Sequence, residues 1–150
     1  MRRGEMIAVL VWGVLACDAG SVETATSVIA EESRYQVLLS VTSPPSPVAS
    51  GELRIRVEMR NGWHIAPEAP ARLELETPAG IGLSPGSLSS EDAIALDDAG
   101  VEWSAELRAD KAGAATTQGH LKIGICEDDE ERCVIVRRTL ELPVQVFFAD

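Results

Sequence analysis

The sequence predicts an all-β fold, an antiparallel β-sandwich formed by a single small domain. Short stretches in which apolar and polar residues alternate recur along the chain, and residues typical of turns separate them. No segment between these stretches has a convincing helical period, which disfavours a fold of alternating strands and helices. The 150 residues leave no room for a second domain. Aromatic residues make up only 4%, so aliphatic side chains must fill most of the core.

The first two predicted strands lie near the start of the domain. Residues 35–41 form the first, and the prolines of residues 43–47 mark a loop because proline cannot donate a hydrogen bond within a central strand. Residues 53–60 carry the clearest alternation, with apolar side chains on one face and charged side chains on the other. Asn61 and Gly62 follow as a turn, because both residues readily adopt positive φ.

Four further strands with the same period are predicted at residues 72–76, 101–108, 120–125 and 140–146. Pro143 falls on the polar face of the last strand, which indicates an edge strand because a missing N–H is tolerated there. Trp63 and His64 follow the Asn61-Gly62 turn directly. We expect both to be scaffold residues, with the tryptophan filling a core that is poor in aromatic side chains.

The N-terminus has the order of an export signal. Residues 1–16 combine a basic start with an apolar run of eleven residues, which is too short to span a bilayer but suits a signal peptide. The alternative is a buried strand or helix at the start of the fold. Residues 17–33 are small, polar and acidic, and predict a linker. The folded domain then covers residues 34–150, and the sequence predicts export to the bacterial periplasm.

A lipid anchor is predicted at the end of the leader. Residues 14–17, Val-Leu-Ala-Cys, resemble the lipobox of bacterial lipoproteins, in which the cysteine carries the lipid after cleavage. Three cysteines are an odd number, and lipidation of Cys17 would account for the one left after Cys126 and Cys133 pair. Ordinary secretion and an incidental leader cysteine are the alternatives. Any membrane association is expected to come only from this anchor.

The net charge and the motifs of the sequence limit the partners and cofactors that we expect. The formal net charge of -11 repels phosphate backbones, so nucleic acid is not an expected partner. His64 and His120 are far apart in the sequence and the cysteines lack a zinc-finger spacing, so no metal site is expected. We expect no cofactor either, since the motifs of phosphate loops, zinc proteases and serine hydrolases are missing from the sequence.

The cysteine pair flanks a fully charged segment. The six residues between Cys126 and Cys133 comprise five acids and one arginine, a net charge of -4, and must form a solvated turn between two strands. Cys126 is in phase with Lys122 and Gly124, so its side chain should point away from the core, toward solvent or a covering loop.

Two roles stay open for this pair. A structural disulfide closing so short a loop stabilises by about 2 to 3 kcal/mol. An exchangeable disulfide needs a sulfur that a partner thiolate can reach, which the outward phase allows. The carboxylates beside the sulfurs disfavour thiolate, and predict raised thiol pKa values and a disulfide that is hard to reduce.

Two segments of the sequence carry distinctive motifs. The first is Asn-Gly-Trp-His-Ile at residues 61–65 with the strand at residues 73–75, and the second is Leu-Lys-Ile-Gly-Ile-Cys at residues 121–126, Cys133 after the acidic stretch, and the strand at residues 140–144. Together they resemble a known family, the N-terminal domain of the thiol:disulfide interchange protein DsbD and its stand-alone relatives. The resemblance covers residues 34–147. In departure from the family, six residues separate the cysteines, Val134 stands where a Pro-Pro is usual, and residues 91–100 lack the aromatic cap.

The resemblance implies an immunoglobulin-like sandwich in the periplasm. Cys126 and Cys133 would take electrons from a thioredoxin-like or DsbD-type redox protein and pass them to oxidised periplasmic proteins. The chain lacks the family's membrane-spanning and thioredoxin-like portions, so the donor would be a separate protein. The alternative is a non-catalytic exported binding or structural sandwich in which the disulfide is only a staple.

Overall fold

The computed structural model describes residues 24–129 and 132–149, and these contain eleven strands and no α-helix. The strands are β1 (Thr24–Glu31), β2 (Tyr35–Thr42), β3 (Gly51–Met59), β4 (Trp63–Ile65), β5 (Arg72–Glu76), β6 (Ile81–Ser84), β7 (Ser87–Ser89), β8 (Ala95–Asp97), β9 (Gly100–Ala109), β10 (Gly113–Glu127) and β11 (Cys133–Val146). One turn of 3₁₀-helix covers Ser90–Asp92. In the described part of the chain, no helix has the length and apolar character needed to cross a membrane.

Two antiparallel sheets enclose the core. The first sheet has the order β1-β2-β3-β9-β6, and β8 pairs with β9 beside β6. The second has the order β11-β10-β5-β7, and β4 pairs with β10 beyond the end of β5. Side chains from both sheets meet in one hydrophobic cluster. The predicted all-β, immunoglobulin-like sandwich is therefore confirmed.

The alternation that predicts β3 and β9 is the alternation that fills the core. Leu53, Ile55 and Val57 of β3 are buried, as are the apolar residues of β9. Trp103 is fully buried within β9, and its indole N–H donates a hydrogen bond to the carbonyl of Ser89 at 2.8 Å. A buried tryptophan with a satisfied N–H leaves no unpaired donor in the core.

The turn after β3 also has the predicted geometry, with φ of 52° at Asn61 and 79° at Gly62.

The longest feature of the second sheet is the β10–β11 hairpin. Its register runs without interruption from Gly113 opposite Val146 to Cys126 opposite Cys133. Among the described strands, β11 pairs only with β10, so the edge position predicted from Pro143 is confirmed. The hairpin therefore carries the cysteine pair at the end where its two strands are joined by the acidic turn.

The linker predicted over residues 17–33 is wrong from Thr24 onward. Thr24–Glu31 form β1, which pairs with β2 at the edge of the first sheet. Only Ala30 of this strand is buried, so its side chains show no apolar period. Backbone hydrogen bonding to β2 defines β1 instead, and a pattern of side chains cannot reveal such a strand.

Candidate redox site

Cys126 and Cys133 form a disulfide across the last residue pair of the hairpin. The amide of Glu127 donates to the carbonyl of Arg132 at 2.9 Å, so the ladder bonds lie at the next pair toward the turn. In antiparallel sheets hydrogen-bonded and non-hydrogen-bonded pairs alternate, and the cysteines occupy a non-hydrogen-bonded pair, where opposed residues approach most closely. Their Cα atoms are 4.0 Å apart. The disulfide thus replaces no backbone hydrogen bond.

The two cysteines differ in exposure. Cys126 is 7% exposed and Cys133 is exposed to solvent. Ile123 and Ile125 belong to the hydrophobic core, whereas Cys126 has the opposite phase on β10 and lies outside that cluster. The predicted outward orientation of Cys126 is confirmed, and its burial comes from structure that covers the outer face of the sheet. Of the two cysteines, Cys133 is therefore the one open to solvent.

The covering structure is the loop between β4 and β5. The amide of Ala66 donates to the carbonyl of Gly124 at 2.9 Å, and the chain then crosses the outer face before it rejoins β10 as β5. A Cβ atom added at Gly124 would collide with the Cβ of Ala69. The loop can therefore lie against β10 only because residue 124 is glycine. This contact is two residues from Cys126, on the same face.

His64 lies directly opposite Cys126 in the β4–β10 ladder. Two backbone hydrogen bonds flank this pair: the amide of Asp128 donates to the carbonyl of Gly62, and the amide of Ala66 donates to the carbonyl of Gly124. Because hydrogen-bonded and non-hydrogen-bonded pairs alternate along an antiparallel ladder, His64 and Cys126 form a hydrogen-bonded pair. Opposed residues of such a pair have Cα atoms about 5.5 Å apart and side chains on the same face. The His64 side chain therefore lies on the same face of the sheet as that of Cys126, one strand away and on the side opposite Cys133.

A carboxylate orients this imidazole. The Nδ1–H of His64 donates a hydrogen bond to Oδ1 of Asp128 at 3.0 Å, and the His64 side chain is 15% exposed. A carboxylate only accepts hydrogen bonds, so the ring donates from Nδ1, and this contact fixes the orientation of the imidazole.

Cations reduce the negative charge of the turn. Arg132 lies 3.8 Å from the carboxylate of Glu127. The guanidinium carbons of Arg34 and Arg132 lie 5.5 Å and 5.7 Å from the centre of the Trp63 ring. Trp63 is half-buried against the core, so it is a scaffold residue as predicted, and it also holds one arginine of the turn in place.

The structure separates the two histidines of the sequence. His64 stands opposite Cys126, a position beyond the scaffold function expected of it, and only the pairing of β4 with β10 brings the two residues together. His120 lies six residues before Cys126 on β10, about 20 Å away along the strand, where its ring contacts Glu76 at 3.4 Å. The two histidines and the cysteines do not converge on one point. Cys17 and the leader lie outside the described residues.

The segment at residues 91–100 lies next to the site. The carbonyl of Asp98 accepts a hydrogen bond from the amide of Ile65 at 3.0 Å, which ties this segment to β4. Two of its side chains, Ile94 and Leu96, are 52% and 45% exposed. The segment therefore borders the strand that carries His64, without an aromatic side chain of its own.

Comparisons with known proteins identify no relative. No protein-family model matches the chain, and no curated protein matches it. The resemblance to the DsbD N-terminal domain stays a prediction, supported by the residues named above.

Proposed function

We propose that the protein exchanges its Cys126–Cys133 disulfide with thiols of partner proteins, carrying electrons between a thioredoxin-like or DsbD-type donor and oxidised proteins. The observation that carries this proposal is the unequal surroundings of the two cysteines. Cys133 is exposed at the end of the hairpin, whereas Cys126 is buried and stands opposite His64 in the sheet. A purely structural bridge requires neither a reachable sulfur nor a proton carrier.

Exchange begins at the exposed sulfur. A thiolate of the reduced partner attacks Sγ of Cys133, the Cys126–Cys133 bond breaks, and its electron pair leaves on Sγ of Cys126. A second thiolate of the partner then attacks the mixed disulfide and releases Cys133 as a thiolate. Two electrons have moved, the partner's dithiol has become a disulfide, and the two cysteines of this protein take up two protons. The reverse sequence reduces an oxidised partner.

His64 assists the departure of Cys126. An imidazolium beside a sulfur stabilises the thiolate that leaves, and can then transfer its proton to it. Asp128 supports this role because it accepts the Nδ1–H and so fixes the orientation and the tautomer of the ring. Because a more stable thiolate leaves faster, the pair is arranged to be attacked at Cys133 and to release Cys126.

A second candidate function is a binding or structural domain in which the disulfide is a staple. The observation that favours it is the acidic turn, where five carboxylates lie between the cysteines. Their mutual repulsion opposes closure of the hairpin end, and a covalent link counteracts it. In the chain-entropy treatment, closing a loop of this length contributes about 2.5 kcal/mol.

Reduction of the folded protein separates the two functions. We expect a dithiol such as dithiothreitol to open Cys126–Cys133 while the near-ultraviolet circular dichroism is retained, and the reduced protein to pass its electrons to an oxidised thioredoxin-fold protein. The Cys126→Ser/Cys133→Ser variant should fold, lose about 2.5 kcal/mol of stability and transfer nothing. A disulfide that opens only when the protein unfolds would establish the staple.

We also propose that the protein acts outside the cytoplasm. A disulfide is stable in oxidising compartments, and a periplasmic location with Cys17 as a lipid-bearing residue accounts for all three cysteines. A lipid anchor would keep the module near membrane-bound electron donors.

A further inference from the structure

We propose that the outer face of the β10–β11 hairpin is the surface on which the thiol partner docks, and that the partner offers carboxylates to a row of three cations. This inference rests on the proposed function. The surface begins at Cys133 and continues along β11 through Ile135 to Arg137, which stands opposite Lys122 of β10. On β5, Arg72 stands opposite Lys122 and extends the row to a third strand. We call Arg72, Lys122 and Arg137 the cationic row.

The cationic row stands out against the charge of the whole protein. The chain has 13 cationic and 24 acidic residues. Among the described residues, every arginine except Arg137 lies within 3.9 Å of a described carboxylate. Only Lys111, Lys122 and Arg137 lack such an ion pair in this part of the chain. Two of these three, Lys122 and Arg137, therefore stand opposite each other on neighbouring strands. Arg72 beside them makes the longest arginine–carboxylate contact of this set, 3.9 Å to Glu74.

Like charges on directly opposed residues destabilise a sheet. Lys122 has a cation opposite it on both sides, in a protein with an excess of carboxylates. The arrangement costs stability that an anion bound across the row would restore. The residues border an open depression of about 380 Å³ on the outer face, which gives an approaching group access to all three side chains. Arginine forks and a lysine are the groups that bind carboxylates on a partner.

The cationic row lies on the same face of the hairpin as Cys133 and a short distance along it. Cys133, Ile135 and Arg137 share one face of β11, because they are two residues apart in sequence. Arg137 is four residues from Cys133, about 13 Å along the strand. Ile135 lies between them and is 51% exposed, so an apolar contact separates the thiol contact from the charge contact. An apolar centre with charges at its margin is the usual composition of a docking surface.

The partner is therefore a thiol protein with carboxylates about 13 Å from its reactive sulfur. At the opposite end, the five carboxylates of the turn repel anions. The cationic row attracts the negatively charged side of such a partner, and the acidic turn repels it. Together they orient a partner that carries negative charge near the cationic row and none near the turn. Electrostatic complementarity of this kind raises the association rate and fixes the docking register.

Cysteine peptides test this surface on the whole protein. One extended peptide carries aspartates four and six residues from its cysteine, and its counterpart carries asparagines. The rate at which each forms a mixed disulfide with the protein is measured at low ionic strength and divided by its rate with hydroxyethyl disulfide, which removes differences in intrinsic thiol reactivity. We expect the aspartate peptide to react about two- to fourfold faster, an advantage that 0.5 M salt abolishes.

Arg137→Gln and Lys111→Gln form a matched pair, because each removes one cation without a carboxylate partner among the described residues. Arg137→Gln should remove most of the aspartate advantage and Lys111→Gln should retain it. An advantage that both variants lower equally, or no advantage in the unmodified protein, overturns the docking surface. Inorganic phosphate that binds the row while peptide charge leaves the rate unchanged would mark a small-anion site and also overturn it. If neither peptide nor dithiothreitol opens the native disulfide, the proposed function itself fails.

Discussion

His64 and Cys126 face each other across the β4–β10 ladder, and the imidazole is held there by Asp128. Cys126 therefore has a histidine on one side and its disulfide partner on the other. In the proposed exchange, carboxylates near the sulfurs disfavour a departing thiolate, whereas a proton donor at His64 favours the departure of Cys126.

The first prediction concerns His64. His64→Gln keeps a polar side chain but removes the imidazole that donates a proton in the proposed exchange. The reduction of the disulfide by a thiol should therefore slow roughly 3- to 20-fold near neutral pH, with little change in unfolding free energy. Stopped-flow kinetics with reduced glutathione measures this rate. His120→Gln is the control, because it changes the same residue type about 20 Å away on the same face. Equal rates in the two variants would contradict a role for His64.

The second prediction concerns the loop that covers the outer face. Gly124→Ala introduces a Cβ at the position of Ala69, so the loop must move, at a cost of about 1 to 3 kcal/mol. Cys126 should then become more accessible, and reduction by dithiothreitol faster. Urea denaturation and reduction kinetics measure the two effects. Ala69→Gly in the same chain should restore part of both.

Gly86→Ala is the control for this substitution. No atom lies within 4 Å of a Cβ added at Gly86, so the same change in side chain meets no neighbour there. Its unfolding free energy and its reduction rate should stay close to those of the original protein. An equal loss of stability at both positions would show that the contact with Ala69 does not govern the effect.

The third prediction concerns alkaline stability. Burial raises the pKa of Tyr35 above its ordinary value, partly opposed by the hydrogen bond that Arg138 donates to its hydroxyl. The folded state holds the phenol proton more tightly than the unfolded state. The resulting contribution to the free energy of unfolding is fully present below about pH 10 and is lost as pH rises through the folded pKa. Tyr35→Phe should abolish this pH-dependent contribution. In urea unfolding at pH 8 to 11, the unfolding free energy of the variant should fall less steeply with pH than that of the original protein.

Tyr35 is the only tyrosine of the chain, so absorbance at 295 nm reports its ionisation without interference from another phenol. The native protein should titrate above the unfolded protein in this assay. Titration of both at the same pH would contradict the assigned effect of burial.

The fourth prediction concerns the N-terminus. When the full chain is produced in a bacterium with its own leader, the mature protein should begin at Cys17 and carry acyl chains, and Cys17→Ser should release it from membranes. Mass spectrometry of the N-terminal peptide measures both the start and the attached mass. An unmodified mature chain that begins at another residue would contradict lipidation.

Much of the sandwich can be predicted from the sequence, because β3, β9 and the β10–β11 hairpin alternate apolar and polar residues with the period of a half-buried strand. The outward phase of Cys126 follows from the same pattern. β1 could not be found this way, since its side chains are mostly exposed. The neighbour of Cys126 is also beyond local patterns, because His64 precedes it by 62 residues and only the sheet topology brings the two together.

The loop over Gly124 shows a further limit of the sequence. A glycine within an apolar strand indicates a close approach, but the chain that approaches lies more than 50 residues earlier. The cationic row is similarly divided among β5, β10 and β11, so its three members appear unrelated until strand register places them side by side.

The most direct measurement is the position of the mixed disulfide. The oxidised protein is incubated with a thioredoxin-fold protein whose second cysteine has been replaced by serine, and the trapped adduct is digested and analysed by mass spectrometry. Our account predicts an adduct that links the partner's remaining cysteine to Cys133, formed while the protein stays folded. An adduct at Cys126, or none although the unfolded protein reacts, would contradict the proposal that this disulfide is exchanged through its exposed sulfur.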